Sequence, residues 1–206
     1  MKDDDVFINC PFDFGYRPLF ERILFTVLIC GFRPRCAWEL ADGKNRINGI
    51  LDILGDCRLS IHDLSKSACE TSDRSCRFNM PFELGLDYAL RAVGSETVWR
   101  DKRFLVMENG AHSLRRALSD INELDPKHHE RNFVNCIRRV RDFLRADVNA
   151  QNNLPGQIVI ERNYESFDAV LTNDICVSMG FDRNDIDYRD LVTAMVQWLR
   201  SDAALR

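Results

Sequence analysis

Residues 6–38, VFINCPFDFGYRPLFERILFTVLICGFRPRCAW, decide how this chain folds. Val6-Phe7-Ile8 is a short, wholly apolar run and reads as a buried strand. After the turn Asn9 to Asp13, Tyr16 to Cys30 reads as a helix apolar on most of its faces. Gly31 and Pro34 then break the pattern before a second strand at Arg35-Cys36-Ala37-Trp38. Strand, helix, strand in that order implies a parallel pair, because the helix is the crossover that parallel strands need.

The same alternation continues outward. Between Asn45 and Cys57, Ile47, Ile50, Leu51 and Leu54 recur at helical spacing, and Leu59 to Leu64 reads as a third strand. A loop rich in Ser, Thr, Asp and Cys runs from Ser65 to Arg77. Next come a helix from Met80 to Val93, with Phe82, Leu86, Ala89, Leu90 and Val93 as its core stripe, and a fourth strand at Phe104 to Met107. The fold class is therefore α/β, a doubly wound parallel sheet. Beyond Gly110 helices are expected at Ser113 to Leu124, Arg131 to Leu144, Tyr164 to Leu171 and Tyr188 to Leu199, with a strand at Ile158-Val159-Ile160. This divides the chain into an α/β core over 1–110 and a helical extension over 111–206. Asn149 to Asn153, closed by Pro155-Gly156, is the linker candidate.

With 206 residues, 45% of them hydrophobic and 29% charged, the chain is sized for one well-cored folding unit. A formal charge of -4 offers no footprint for nucleic acid. The acidic start Met1-Lys2-Asp3-Asp4-Asp5 has no secretory pattern, and the apolar run Ile23 to Ile29 is too short to span a bilayer, so a cytoplasmic location away from membranes is expected. Eight cysteines without a Cys-x-x-Cys pair are expected to be reduced thiols, with neither a metal site nor a bound cofactor.

Ligands of open α/β sheets bind beyond the carboxyl ends of the strands, which selects three segments. Asn9-Cys10-Pro11-Phe12-Asp13 follows the first strand and either offers backbone N–H groups to a phosphate or is a tight turn held by Pro11. His62-Asp63-Leu64-Ser65 ends the third strand; Asp63 and Ser65 face a ligand or hold a turn, and His62 falls within the strand period as a core histidine would. In Asn79-Met80-Pro81-Phe82-Glu83-Leu84-Gly85, Asn79 suits an N-cap and Pro81 the first turn, which puts Glu83 on the opening turn of a helix whose Phe82 and Leu86 face the core. The helix dipole there favours the ionised carboxylate, as a nucleophile or a group gripping a hydroxyl requires. Acidic residues are common in first turns for dipole reasons alone, so without further context a purely structural role is the default reading of Glu83. Arg35 and Arg46 are further candidates, for bidentate phosphate contacts.

Taken together, Asp5-Val6-Phe7-Ile8-Asn9, the apolar helix ending in Gly31-Phe32, Ile47 to Leu54, Leu59 to Ser65 and Phe82-Glu83-Leu84-Gly85 resemble a TIR domain. They are equally similar to the nucleoside 2-deoxyribosyltransferase family, which shares the flavodoxin-like plan and has a Glu-x-Gly element on the corresponding helix. The run from Phe7 to Arg91 is also similar to TIR-like proteins of bacterial antiphage defence. The resemblance covers about the first 110 residues, and it implies cleavage of an N-glycosidic bond, of NAD or of a nucleoside, by one glutamate that maps onto Glu83. The residues expected to face the substrate, from the strand-end segments, the two arginines and an apolar shelf, are Cys10, Pro11, Phe12, Asp13, Arg35, Trp38, Arg46, Asp63, Ser65, Asn79 and Phe82. The resemblance further implies self-association and a partner defence protein or signalling ligand, with a non-catalytic assembly module as the alternative. Asn9-Cys10-Pro11-Phe12 stands where a typical TIR opens with Ser-Tyr or Ser-His.

Overall fold

The structure of the protein is a computed structural model and describes residues 4–40, 45–67, 78–94, 97–110, 124–150 and 153–201. Its sheet has five parallel strands, β1 (Asp5–Asn9), β2 (Arg33–Arg35), β3 (Leu59–Asp63), β4 (Arg103–Glu108) and β5 (Lys127–His128), in the order β2-β1-β3-β4-β5. That is the order of flavodoxin-like sheets, in which the direction of winding reverses between β1 and β3 and leaves a crevice there. Every residue of β1 and β3 is buried, as expected of strands covered on both faces.

Strand alternation sorts the core into two layers. Val6, Ile8, Leu59, Ile61, Leu105 and Met107 pack against α1 (Arg17–Ile29), α5 (Phe133–Arg145), α6 (Gln157–Val170) and α8 (Tyr188–Arg200). Phe7 packs with Ile50, Ile53 and Leu54 of α2 (Arg46–Asp56), and Val106 with Met80 and Leu84 of α3 (Asn79–Val93). The short helices α4 (Thr97–Arg100) and α7 (Cys176–Met179) complete the described elements.

The C-terminal helices are thus one wall of the main core. In α5 the buried stripe Cys136, Ile137, Val140 and Leu144 meets α1, while Arg138 and Arg145 face outward. Phe25 of α1 is fully buried among Tyr164, Phe167 and Trp198, so truncating it to Ala removes about 3–5 kcal/mol of stability. Glu21 of α1 accepts hydrogen bonds from Arg17, Tyr164 and Arg183. Burial alone would push its carboxyl up, but these donors hold it below the usual range.

Several expectations are corrected. The second strand is Arg33–Arg35, ahead of the expected position, and Ala37–Glu39 forms a 3-10 turn. Asp5, on the neighbouring strand, forms ion pairs with both Arg33 and Arg35 and so anchors the earlier register. Pro34 is tolerated because β2 is an edge strand: its carbonyl accepts a hydrogen bond from the Tyr188 hydroxyl at 3.0 Å. Ile158-Val159-Ile160 is not a strand but the first turn of α6, since Ile160, Tyr164, Phe167 and Leu171 form one buried helical stripe. The expected helix at Ser113 to Leu124 lies outside the described residues apart from its last, as do two positions of the Asn149 to Asn153 linker. Among the described residues no helix is long and apolar enough to cross a membrane.

Candidate functional site

The opening of α3 differs from its sequence reading. Phe78 occupies the N-cap without a side-chain cap bond, and Asn79 is the first helical residue rather than the cap. The Asn9 side chain donates 2.8 Å to the Met80 carbonyl and so pins this end to β1. Glu83 therefore sits in the second turn, and the face toward the sheet is Met80, Glu83, Leu84 and Asp87. Phe82, expected in the core, is 53% exposed, Val93 is exposed and Leu86 is half-buried.

Glu83 is 9% exposed, and its Oε2 has no hydrogen-bond partner among the described residues. Burial pushes its carboxyl up to about 7, with the Arg46 guanidinium pulling partly the other way. The expected preference for the charged form is thus overturned. The helix dipole acts within the first turn and is worth less than the desolvation of a buried carboxylate without a partner.

Arg46, Ile47, Ile50, Asn79, Phe82 and Leu86 join Glu83 around a cavity of about 150 Å³. Arg46 is held there as the first residue of α2, whose N-cap Asn45 accepts from the Asn48 N–H. Its side chain also borders a second, larger cavity of about 600 Å³, walled by Trp38, Leu40, Arg189 and residues 184–188. The guanidinium thus joins a small chamber holding a carboxyl group to a roomier one with an aromatic wall.

Beneath Glu83, one turn along α3, Asp87 is treated oppositely. His62 Nε2 approaches its Oδ2 at 3.0 Å, and Lys102 Nζ approaches its Oδ1 at 2.9 Å, all three side chains being buried. Burial raises the Asp87 carboxyl, but His62 and then Lys102 outweigh it and hold it below the usual carboxylate range. Lys102 also donates to the carbonyls of Leu54 and Cys57. Because the Met80 carbonyl fixes the Asn9 amide, its nitrogen must donate to His62 Nδ1, 3.0 Å away. The His62 proton therefore sits on Nε2 and points at Asp87.

On the other face of the sheet, Asp63 accepts from four donors: the Tyr16 hydroxyl, the Ser65 N–H, the Ser65 hydroxyl and His129 Nε2. Burial pushes Asp63 up, yet His129 first and then Ser65 and Tyr16 bring it below the usual range. Ser65, His129 and Asp63 are not a hydrolytic triad. His129 Nδ1 accepts from the Arg131 N–H, so the proton is on Nε2, the nitrogen facing Ser65, and the serine hydroxyl points at the carboxylate instead.

The remaining candidates fall into four groups. Arg46, Asn79 and Phe82 line the Glu83 cavity. Trp38 stacks with Phe12 and borders the larger cavity, Pro11 is buried, and Asp13 pairs with Lys66 at 2.8 Å. Cys10 is buried, and its thiol is pushed well up by burial, then by Asp63 and more weakly by Glu83, which makes it a poor nucleophile. Arg35 is held by Asp5 and Glu39 and lines neither cavity. Sequence reasoning missed Tyr16, Lys102 and His129: the two-residue β5 before His129 is too short for any periodicity, and nothing in the sequence near Lys102 announces its burial. Among the described residues no group of His, Cys, Asp or Glu side chains is arranged to hold a metal ion. Comparison with protein-family models, with curated proteins and with solved structures finds no match to this chain.

Proposed function

We propose that the cleft around Glu83 cleaves N-glycosidic bonds of nucleotides, with NAD as substrate, as a TIR-like effector of bacterial antiphage defence would. The observation that carries this reading is a buried carboxyl group, one oxygen of which has no hydrogen-bond partner among the described residues, beside a guanidinium, at the carboxyl edge of a flavodoxin-ordered sheet. In this mechanism Arg46 grips phosphate oxygens and Phe82 offers its exposed ring to the base. The bond between C1 of the ribose and the pyridinium nitrogen breaks with its electron pair going to nicotinamide. Glu83, ionised, stabilises the oxocarbenium carbon or bonds to it; water then adds to that carbon, displacing the Glu83 carboxylate with its electron pair where it has bonded, and the water's proton leaves to solvent.

A cationic pyridinium base suits this site in particular. Among the described residues no hydrogen bond reaches Glu83 Oε2, so an arriving positive charge favours its ionisation. A second reading, a nucleoside or nucleotide N-glycosidase of deoxyribosyltransferase type, is favoured by the same raised pKa: near pH 7 a share of the molecules hold a proton to give to a neutral leaving base.

Incubating the protein with NAD and a panel of nucleosides and nucleotides, and following released base against pH, tests both. NAD cleavage that rises as pH passes through about 7 supports the first reading, and nucleoside cleavage that falls over that range supports the second. If no substrate releases base, a non-catalytic assembly role is left.

A further inference from the structure

On the face of the sheet opposite Glu83, a cavity of about 300 Å³ opens between the N-terminal ends of α1 and α5. Pro18, Leu19 and Phe133 give it an apolar wall, and Lys66 and Arg131 stand around it. Its floor is the Ser65 and His129 pair above Asp63. Because the Tyr16, Ser65 and His129 donors all serve Asp63, that carboxylate is quenched from within. The charge offered to a ligand is therefore set by the two cations.

These cations are not both used up. Among the described residues Lys66 makes one ion pair, to Asp13, which uses one of the three N–H bonds of its ammonium group. Arg131 has no ion-pair or hydrogen-bond partner for its guanidinium among the described residues. Its backbone is also unusual. Glu130 and Arg131 are successive non-glycine residues in the left-handed region, at φ 55 and 52. The Arg131 N–H bonded to His129 Nδ1 locks this turn against the cavity. Left-handed residues carrying a Cβ are uncommon and persist where their surroundings fix them, often at ligand sites. The N-terminal end of α5, a 13-residue helix capped by the Asn132 side chain, adds partial positive charge nearby.

We propose that this cavity is a second binding site, for a small organic oxyanion: a phosphate or carboxylate head held by Arg131 and Lys66, carried on an aromatic or aliphatic body that lies on Leu19 and Phe133. The proposal is independent of any chemistry at Glu83.

Isothermal titration of the full chain with phenyl phosphate, benzoate and inorganic phosphate tests it. Phenyl phosphate is expected to bind one to one and more tightly than inorganic phosphate, since the apolar wall rewards a ring; its comparison with benzoate identifies the preferred head group. Arg131→Gly removes the guanidinium while giving the left-handed position the residue that adopts it most easily, so the fold should hold or gain stability. Binding should nevertheless weaken by about tenfold or more, as for loss of a charge-assisted hydrogen bond, and Lys66→Gln should act in the same direction. Arg46→Ala, which alters the Glu83 cleft, should leave it intact. Failure of all three probes to bind saturably overturns the proposal, as does undiminished binding to the Arg131→Gly, Lys66→Gln double variant. Loss of binding in Arg46→Ala also overturns it, by assigning the anion to the other cleft.

Discussion

Glu83 and Asp87 are carboxylates one helical turn apart on the same face of α3, both turned toward the sheet, yet they are in opposite electrostatic states. Asp87 has an imidazole and an ammonium group on its two oxygens and is held below its ordinary pKa. Glu83 has an oxygen without a partner among the described residues and is raised to about 7. Burial disfavours the charge of both; what separates them is whether partners were buried with it. A carboxylate whose partners are built in stabilises the fold, whereas one without them is available to a ligand that brings its own charge.

Breaking the paired member should have the largest effect. Asp87→Asn leaves Lys102 buried without its counter-charge, and denaturant unfolding should show a loss of about 3–5 kcal/mol. The double variant Asp87→Asn, Lys102→Met should recover part of that loss, because the orphaned charge is then gone. Next, Glu83→Gln keeps the shape of the lone member and removes its charge. Base release should fall at least about a hundredfold, the cost of deleting one preorganised electrostatic group. Full activity in this variant would sink the glycosidase reading.

The same variant tests the raised pKa by a route that needs no substrate. The folded protein holds the Glu83 proton up to about pH 7, whereas the unfolded chain releases it near 4.5. Between those values the unfolded state binds fewer protons, so stability falls as pH rises across that window and stays reduced above it. Glu83→Gln lacks this loss: it should match the parent near pH 4 and exceed it at pH 8 by on the order of 3 kcal/mol. A constant difference between the two unfolding curves would mean that Glu83 titrates normally. The smallest effect concerns the two arginines. Arg46→Ala should raise the substrate KM by about tenfold, while Arg35→Ala, whose guanidinium is tied to Asp5 and Glu39, should leave KM unchanged.

Where burial is apolar the sequence was legible. Val6-Phe7-Ile8, Leu59 to Asp63 and Phe104 to Met107 are strands because nearly every side chain goes inside, and α1 reads as a helix for the same reason. Where polar groups are buried the reading slipped. On α3, apolar periodicity selects Phe82 and Leu86, but the inward face holds two carboxylates, Glu83 and Asp87, whose burial depends on His62, Lys102 and the cleft rather than on local pattern. β2 was displaced for a similar reason: its register is anchored by Asp5 reaching Arg33 and Arg35, 28 and 30 residues away. His129 joins Asp63 across 66 positions through a strand of two residues, which no local window can detect.

Pro34 gives β2 a property that bears on how copies of this chain can meet. In a parallel strand the amide and carbonyl of one residue point the same way; Arg33 and Arg35 turn theirs toward β1, so those of Pro34 point out of the sheet. Proline has no amide hydrogen, and the Tyr188 hydroxyl occupies its carbonyl. This margin therefore offers an incoming chain neither donor nor acceptor at its midpoint, and strand addition or fibril-like stacking has no template there. Assembly on this side of the molecule would have to proceed through side chains, in register with their shapes and charges, and a change at Tyr188 that freed the carbonyl would be the first step toward losing that discipline.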